Sequence, residues 1–465
     1  MRLYDPTREV ENVTIRTSRK PTRPVRRGWI DDWRPEDPAF WATTGRAVAR
    51  RNLVWSIVSE HIGFSVWSLW SVFVLFLGPE WGIDPAGKFL LTALPALVGS
   101  VLRIPYTLAV AKLGGRNWTV VSALLLLVPC VGAALVLEPG VDYGTLLAVA
   151  LLAGVGGGNF ASSMANINAF YPQHTKGWAL GLNAGGGNLG VAAVQLVGLA
   201  VLATAGAQHP RLVLAFYIPM IVVAAVGAAL FMDNLTDAVN EKHALRDATH
   251  DPHTWVMSFL YIGTFGSFIG FGFAFGQVLQ VQFKADFASP VDAAYLTFLG
   301  PLLGSLVRPV GGALADRLGG ARVTQWTFAA MAAGASVVLV ASRQASLPLF
   351  LIGFIALFVL SGIGNGSTYK MIPAIFRVKA RAAMAAGADP AAAERAGRRL
   401  SGALIGIAGA VGAFGGVLVN LAFRQSFLSR GDGDAAYLVF IGFYLVCLVV
   451  TWVAYRRPGT PLAGV

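Results

Sequence analysis

Four hundred and sixty-five residues could form two or three soluble domains, but a chain 55% hydrophobic and 13% charged, with mean hydropathy +0.62, lacks the polar surface such domains need. Lipid-facing surface needs no charge, so the composition excludes a soluble enzyme and points to an integral membrane protein. The net charge of +12 then reports orientation before nucleic-acid affinity, and Cys130 and Cys447, both in apolar segments, are too few for a disulfide framework or a metal site.

Residues 1–51 hold twelve Lys or Arg, seven Asp or Glu and several prolines, with no apolar stretch and no cleavable signal peptide. They are expected to form a disordered cytoplasmic tail, with a lipid-headgroup or regulatory role for the RPVRR run at Arg23 to Arg27 as the alternative. Twelve apolar runs follow, at 52–78, 86–112, 118–137, 144–170, 177–205, 211–232, 255–283, 291–315, 322–343, 347–376, 401–427 and 435–455. Each approaches the length of about 20 residues that spans a hydrocarbon core. The polar, acidic stretch 233–254 reads as a cytoplasmic linker between two six-helix halves, 52–232 and 255–455. Residues 377–400 form a second, basic cytoplasmic loop, and 456–465 a short tail. Of the 36 Lys and Arg, 27 fall on the side of the termini and linker, six on the other, and three well inside the runs, those near a run's end being counted with the side they adjoin. That asymmetry predicts a multi-pass protein of the cell inner membrane with both termini cytoplasmic.

Shifting the chain by 205 residues lays Thr92, Leu97, Gly99, Ser100, Arg103, Leu113, Gly114 and Gly115 on Thr297, Leu302, Gly304, Ser305, Arg308, Leu318, Gly319 and Gly320. Runs 2 and 8 therefore correspond. The fold class read from this is all-α, with twelve transmembrane helices in two parallel halves and a site between them near the midplane, the major facilitator architecture. GGALADRLGGARV at Gly311 to Val323 resembles that superfamily's inner-loop signature, whereas AKLGGRNW from Ala111 keeps the glycines and lacks the Asp.

Only Glu60, Arg103, Arg308 and Lys370 bring formal charge well inside the runs, where each costs about 2.5–3.5 kcal/mol on insertion scales and needs a cavity, a partner or a function. Two arginines at equivalent places suit a small planar oxyanion, because guanidinium stays charged and presents forked donors. The structural alternative is a snorkelling or internally paired Arg, which their distance from the helix ends disfavours. Gly156, Gly157 and Gly158 in run 4, Gly186 and Gly187 in run 5 and Gly412 in run 11 allow close approach of helices that must slide. Ordinary small-residue packing explains many such glycines too. Asn159, Asn166, Asn183 and Asn188 place amides at membrane depth, bonded to other helices or facing a polar cavity.

Five segments, LTALPALVGSVLRIPY at Leu91, GGGNFASSMANI at Gly156, GLNAGGGNLGV at Gly181, YIGTFGSFIGF at Tyr261 and RPVGGALADRLGG at Arg308, resemble the NarK nitrate/nitrite porters of that superfamily. The resemblance implies nitrate and nitrite as substrates, clamped by Arg103 and Arg308, with Phe64, Tyr261 and Phe265 lining the site and Asn188 among the binding candidates. Exchanger-type members lack an acid in the first helix, whereas this chain has Glu60 in VSEHIGFSVW and Lys370 in GNGSTYKMIPAIF at similar depth. An ion pair or proton-dependent contact between them is therefore expected, with local capping of Glu60 as the alternative. The function expected is nitrate import by proton symport with alternating access, and nitrate/nitrite antiport is the rival. Without a metal-spaced His/Cys cluster, or a nucleophile with a base, neither an enzyme nor a cofactor is expected, and the partners are nitrate, nitrite, protons and the bilayer, for a monomer that binds no nucleic acid.

Overall fold

In lipid every backbone N–H and C=O must find a partner within the chain, so apolar runs of this length become helices. The computed structural model describes residues 28–236, 244–460, 462 and 465, so the run at Arg23 to Arg27 lies outside the described residues. Among these, twelve helices are long and apolar enough to cross a membrane. They are α1 Pro38–Phe76, α2 Pro85–Leu113, α3 Gly115–Val136, α4 Tyr143–Phe170, α5 Gln173–Ala205, α6 Arg211–Phe231, α7 Pro252–Gln282, α8 Val291–Leu318, α9 Gly320–Arg343, α10 Leu347–Ala385, α11 Pro390–Arg430 and α12 Asp434–Tyr455.

Capping chemistry, which apolarity does not register, moves several boundaries. α1 begins at Pro38 because the Asp37 carboxylate accepts from the backbone N–H groups of Ala39 and Phe40, with proline at the first helical position. Ahead of it, strand β1 (Trp29–Ile30) pairs in parallel with β2 (Asn234–Leu235), and Arg51 bridges Asp233 at 2.6 Å. Residues 28–51 are thus folded onto the linker, which corrects the expected disordered tail over that part. The expected loop 377–400 is mostly helix, since α10 runs to Ala385 and Asp389 caps α11 by accepting from Ala392 N–H.

The internal repeat survives in three dimensions. Gly114 and Gly319, 205 residues apart, both end their helices with φ near +88°, a conformation that favours glycine. A Cβ on Gly157 would lie 2.6 Å from the Gly99 Cα, and at the equivalent crossing a Cβ on Gly362 would lie 2.2 Å from the Gly304 carbonyl oxygen. Backbone meets backbone at both places, so α2 crosses α4 as α8 crosses α10.

The two halves close against each other away from the linker. Phe89 stacks on Phe423 and Phe427 with centroids 5.5 and 5.3 Å apart, Thr92 donates to the Asn420 side-chain oxygen at 2.8 Å, and Gln277 donates to the Pro85 carbonyl at 2.7 Å. On the linker side a cavity of about 260 Å³ stays open between them, from Gly115, Leu235 and Gly402 up to Arg103, Phe160 and Gly409. The structure therefore faces the linker side.

Candidate anion site between the two halves

α2 carries Arg103 to the head of that cavity, fully buried. Its Nη1 donates to the Gly409 carbonyl of α11 at 2.9 Å, while its Nε and Nη2 are buried without a partner. Those two nitrogens form one edge of the guanidinium, so a side-on fork is left free for two oxygens of a planar anion. The plane is held by rings: the Arg103 carbon lies 4.6 Å from the Phe160 centroid, 4.8 Å from Phe265 and 5.5 Å from Trp67. Such cation–π contacts are worth up to about 2 kcal/mol each when desolvated and help hold a buried charge.

Arg308, at the repeat-related place in α8, is also buried. Its Nη2 contacts the Tyr261 hydroxyl at 3.1 Å, its carbon lies 5.8 Å from the Tyr369 ring, and its Nη1 has no partner. Tyr261 stacks on Phe265 at 5.2 Å, so a continuous path of contacts joins Arg308, Tyr261, Phe265 and Arg103 across the interface. Phe265 sits within a π-helical turn at Ile262–Gly266 that follows Tyr261 directly, and such turns concentrate at functional sites.

Glu60 reaches the same centre from α1. One carboxylate oxygen accepts from the Asn183 side chain at 2.6 Å, the other is buried without a partner, and both guanidiniums attract the carboxylate. Asn183 also contacts Ser163, which hydrogen-bonds Ser56 at 2.9 Å. Gly187 makes the room: a Cβ there would stand 2.1 Å from the Glu60 oxygen. Gly156, Gly157, Gly158, Gly186 and Gly412 are as tight, against Gly63, Gly99, Tyr106, Ile57 and Tyr261.

The structure corrects the expected Glu60–Lys370 pair. Lys370 forms its ion pair with Asp316 of α8 at 2.8 Å, with the two side chains 42% and 59% exposed, whereas Glu60 is fully enclosed by α4 and α5. Equal depth did not make contact, because the rotation of α10 turns Lys370 towards α8. Phe64 is buried but stands behind Phe160 at 5.9 Å, and Phe160 supplies the ring under Arg103. Asn188 is buried with neither amide atom bonded. Phe160 and Tyr369 went unselected in the sequence, although each adjoins a residue picked out there, Asn159 and Lys370. Among the described residues, no three His, Cys, Asp or Glu side chains gather as a metal site would require.

Comparison with known proteins agrees with this architecture. Residues 61–388 match the family model described as Major Facilitator Superfamily. The chain is 37% identical to the nitrate/nitrite transporter NarU of Salmonella typhimurium over 92% of its own length and 96% of that protein. It is 33% identical to the probable nitrate/nitrite antiporter NarK2 of Thermus thermophilus, over 93% and 97% of the two chains. A D-xylose-proton symporter structure superposes with a TM-score of 0.65 at 15% identity, covering 86% of this chain and 96% of that one, which shows the shared fold. Twelve membrane helices in two repeat-related halves, facing arginines at the interface and this extent of sequence identity place the chain in the NarK-type nitrate/nitrite porters of the major facilitator superfamily.

Proposed function

We propose that this transporter imports nitrate across the cytoplasmic membrane together with a proton, cycling between two orientations of its halves around a fixed site. The observation that carries the reading is the charge count at the centre: two buried guanidiniums with unpartnered N–H groups share it with one carboxylate. With Glu60 ionised the site holds one net positive charge, which suits a monovalent anion. The Arg103 fork binds two nitrate oxygens and the free Arg308 Nη1 a third, with the stacked Phe160 and Phe265 rings beside the Arg103 guanidinium. A planar fork suits bulkier tetrahedral oxyanions less well.

Coupling follows from competition. Nitrate and the Glu60 carboxylate are both anions drawn to the same guanidiniums, so protonation of Glu60 relieves their repulsion as nitrate arrives. The two ligands thereby favour each other by a reciprocal free energy. A proton and a nitrate bound together leave the site at the same plus one as the empty site with Glu60 ionised. An anion entering a cell negative inside works against about 2.3 kcal/mol per 100 mV, and a co-moving proton cancels that term. The 27-to-6 distribution of basic residues supports termini and linker in the cytoplasm, so the open cavity faces inward, and one chain supplies the whole site.

Exchange of nitrate for nitrite is the second reading, favoured by the two arginines, which need no titrating group. Purified protein in liposomes separates the two. Nitrate accumulation driven by an imposed pH gradient without internal nitrite supports symport, and uptake that occurs only with internal nitrite replaces it by exchange.

A further inference from the structure

Beside Glu60 a second, small chamber is lined only by residues of the N-terminal half. Its volume is about 10 Å³, and Ser56, Ser59 and Glu60 of α1, Thr119 of α3, and Asn159 and Ser163 of α4 line it. The lining is polar throughout, which packing alone does not call for in a membrane bundle. The residues that line it carry four buried, unpartnered polar atoms: one Glu60 oxygen, the Ser59 hydroxyl, and both amide atoms of Asn159. Each such atom left unsatisfied costs about 1–3 kcal/mol. The volume matches one water molecule, and a buried water typically makes about three hydrogen bonds to such groups.

We propose that this chamber holds an internal water through which Glu60 exchanges its proton with the linker side, by a hydroxyl relay distinct from the arginine fork that holds nitrate. The inference rests on the proton-coupled reading above. During release the O–H bond of protonated Glu60 breaks and the water takes that proton while giving one of its own to the Thr119 oxygen, whose original proton leaves the Gly115 carbonyl for water of the large cavity; uptake reverses each transfer. Thr119 donates to the carbonyl of Gly115 at 2.8 Å, one helical turn away, and Gly115 borders the large cavity, so the route rejoins solvent there. Charged and titratable groups face Glu60 from several helices. They are Arg103 from α2, Arg308 from α8 and Tyr369 from α10, while α4 and α5 set Ser163 and Asn183 against it and the neighbouring His61 ring contacts the Gly186 carbonyl. Anion and proton thus reach the centre through different groups, the arginines and the hydroxyl relay, although both meet solvent in the large cavity.

Filling the chamber and emptying it have opposite consequences, which gives the test. In liposomes, Ser59→Val displaces the water and is expected to slow pH-driven nitrate uptake by about 100-fold or more, the scale of a lost positioned proton-transfer group, while nitrate binding and nitrate–nitrate counterflow stay within about twofold. Ser59→Ala keeps space for water and is expected to retain most of the pH-driven rate. In Ser59→Ala the infrared carboxyl band that disappears in Glu60→Gln is expected to shift, because one hydrogen-bonding partner of its water is gone. Wild-type pH-driven uptake in Ser59→Val with normal nitrate binding overturns the chamber while symport stands. Absence of pH-driven uptake in the unmodified protein overturns symport and the chamber with it. If Ser59→Val does not bind nitrate, the Ser59→Ala band decides, and an unshifted band overturns the proposal.

Discussion

Replacing Arg103 by lysine keeps the charge and removes the geometry, which makes it the most direct test of the anion site. The guanidinium commits Nη1 to the Gly409 carbonyl and leaves Nε and Nη2 as a free fork, with the mutually stacked Phe160 and Phe265 rings at 4.6 and 4.8 Å from its carbon. A lysine ammonium can replace one of those N–H···O contacts but cannot present two in parallel, nor hold the Gly409 bond at the same time. The loss is therefore at least one charge-assisted hydrogen bond, about 1.5–3 kcal/mol. At 1.4 kcal/mol per decade, nitrate affinity should fall about 10- to 150-fold. Isothermal titration of nitrate into detergent-solubilised protein reads this directly, with unchanged circular dichroism and a monodisperse elution confirming the fold. A dissociation constant within about twofold of the unmodified protein would refute the fork, since that corresponds to less than half a kcal/mol.

Glu60→Gln preserves the contact with Asn183 and should abolish pH-driven accumulation while leaving nitrate binding intact and independent of pH; persistence of nitrate-driven proton uptake at the wild-type rate would make Glu60 structural. Lys370→Met removes a solvent-exposed ion pair worth at most about 1 kcal/mol, so proton coupling should survive it, and loss of coupling would return Lys370 to the mechanism. Tyr261→Phe deletes the hydroxyl that contacts Arg308 and should weaken nitrate binding about fivefold, roughly 1 kcal/mol, in the same titration. Gly157→Leu drives a side chain into the Gly99 backbone and should eliminate transport, whereas Gly181→Ala, with nothing near its Cβ, should transport normally; equal activity in both would reduce the glycine motifs to filler.

Much of this was legible before any coordinates, because lipid imposes few and strong rules. Apolar length located the twelve spans, the 205-residue repeat located the facing arginines, and the rarity of membrane-buried charge singled out Glu60. What escaped depends on helix rotation and on local backbone. Depth along α1 and α10 can be counted from sequence, but the partner of Lys370 is set by the direction in which α10 faces, and Asp316 lay just past the end assigned to run 8. Phe160 rather than Phe64 meets Arg103 because α4 turns that ring inward, and the π-helical turn that holds Phe265 leaves no mark in hydrophobic periodicity. The start of α1 at Pro38 depended on one aspartate cap in a segment whose composition reads as tail.

The stack of Phe89 on Phe423 and Phe427 that seals the far side has a thermal consequence. Turning the protein outward must part those rings and wet them, and wetting apolar surface raises heat capacity. The free-energy difference between the two orientations is therefore curved in temperature, with an apolar latch that weakens on cooling. Cold membranes should shift the resting population outward, and an Arrhenius plot of turnover should bend even where the lipid has no phase transition. The bend should flatten when Phe423 is exchanged for a smaller side chain, so a transporter of this design carries part of its temperature response in one aromatic cluster.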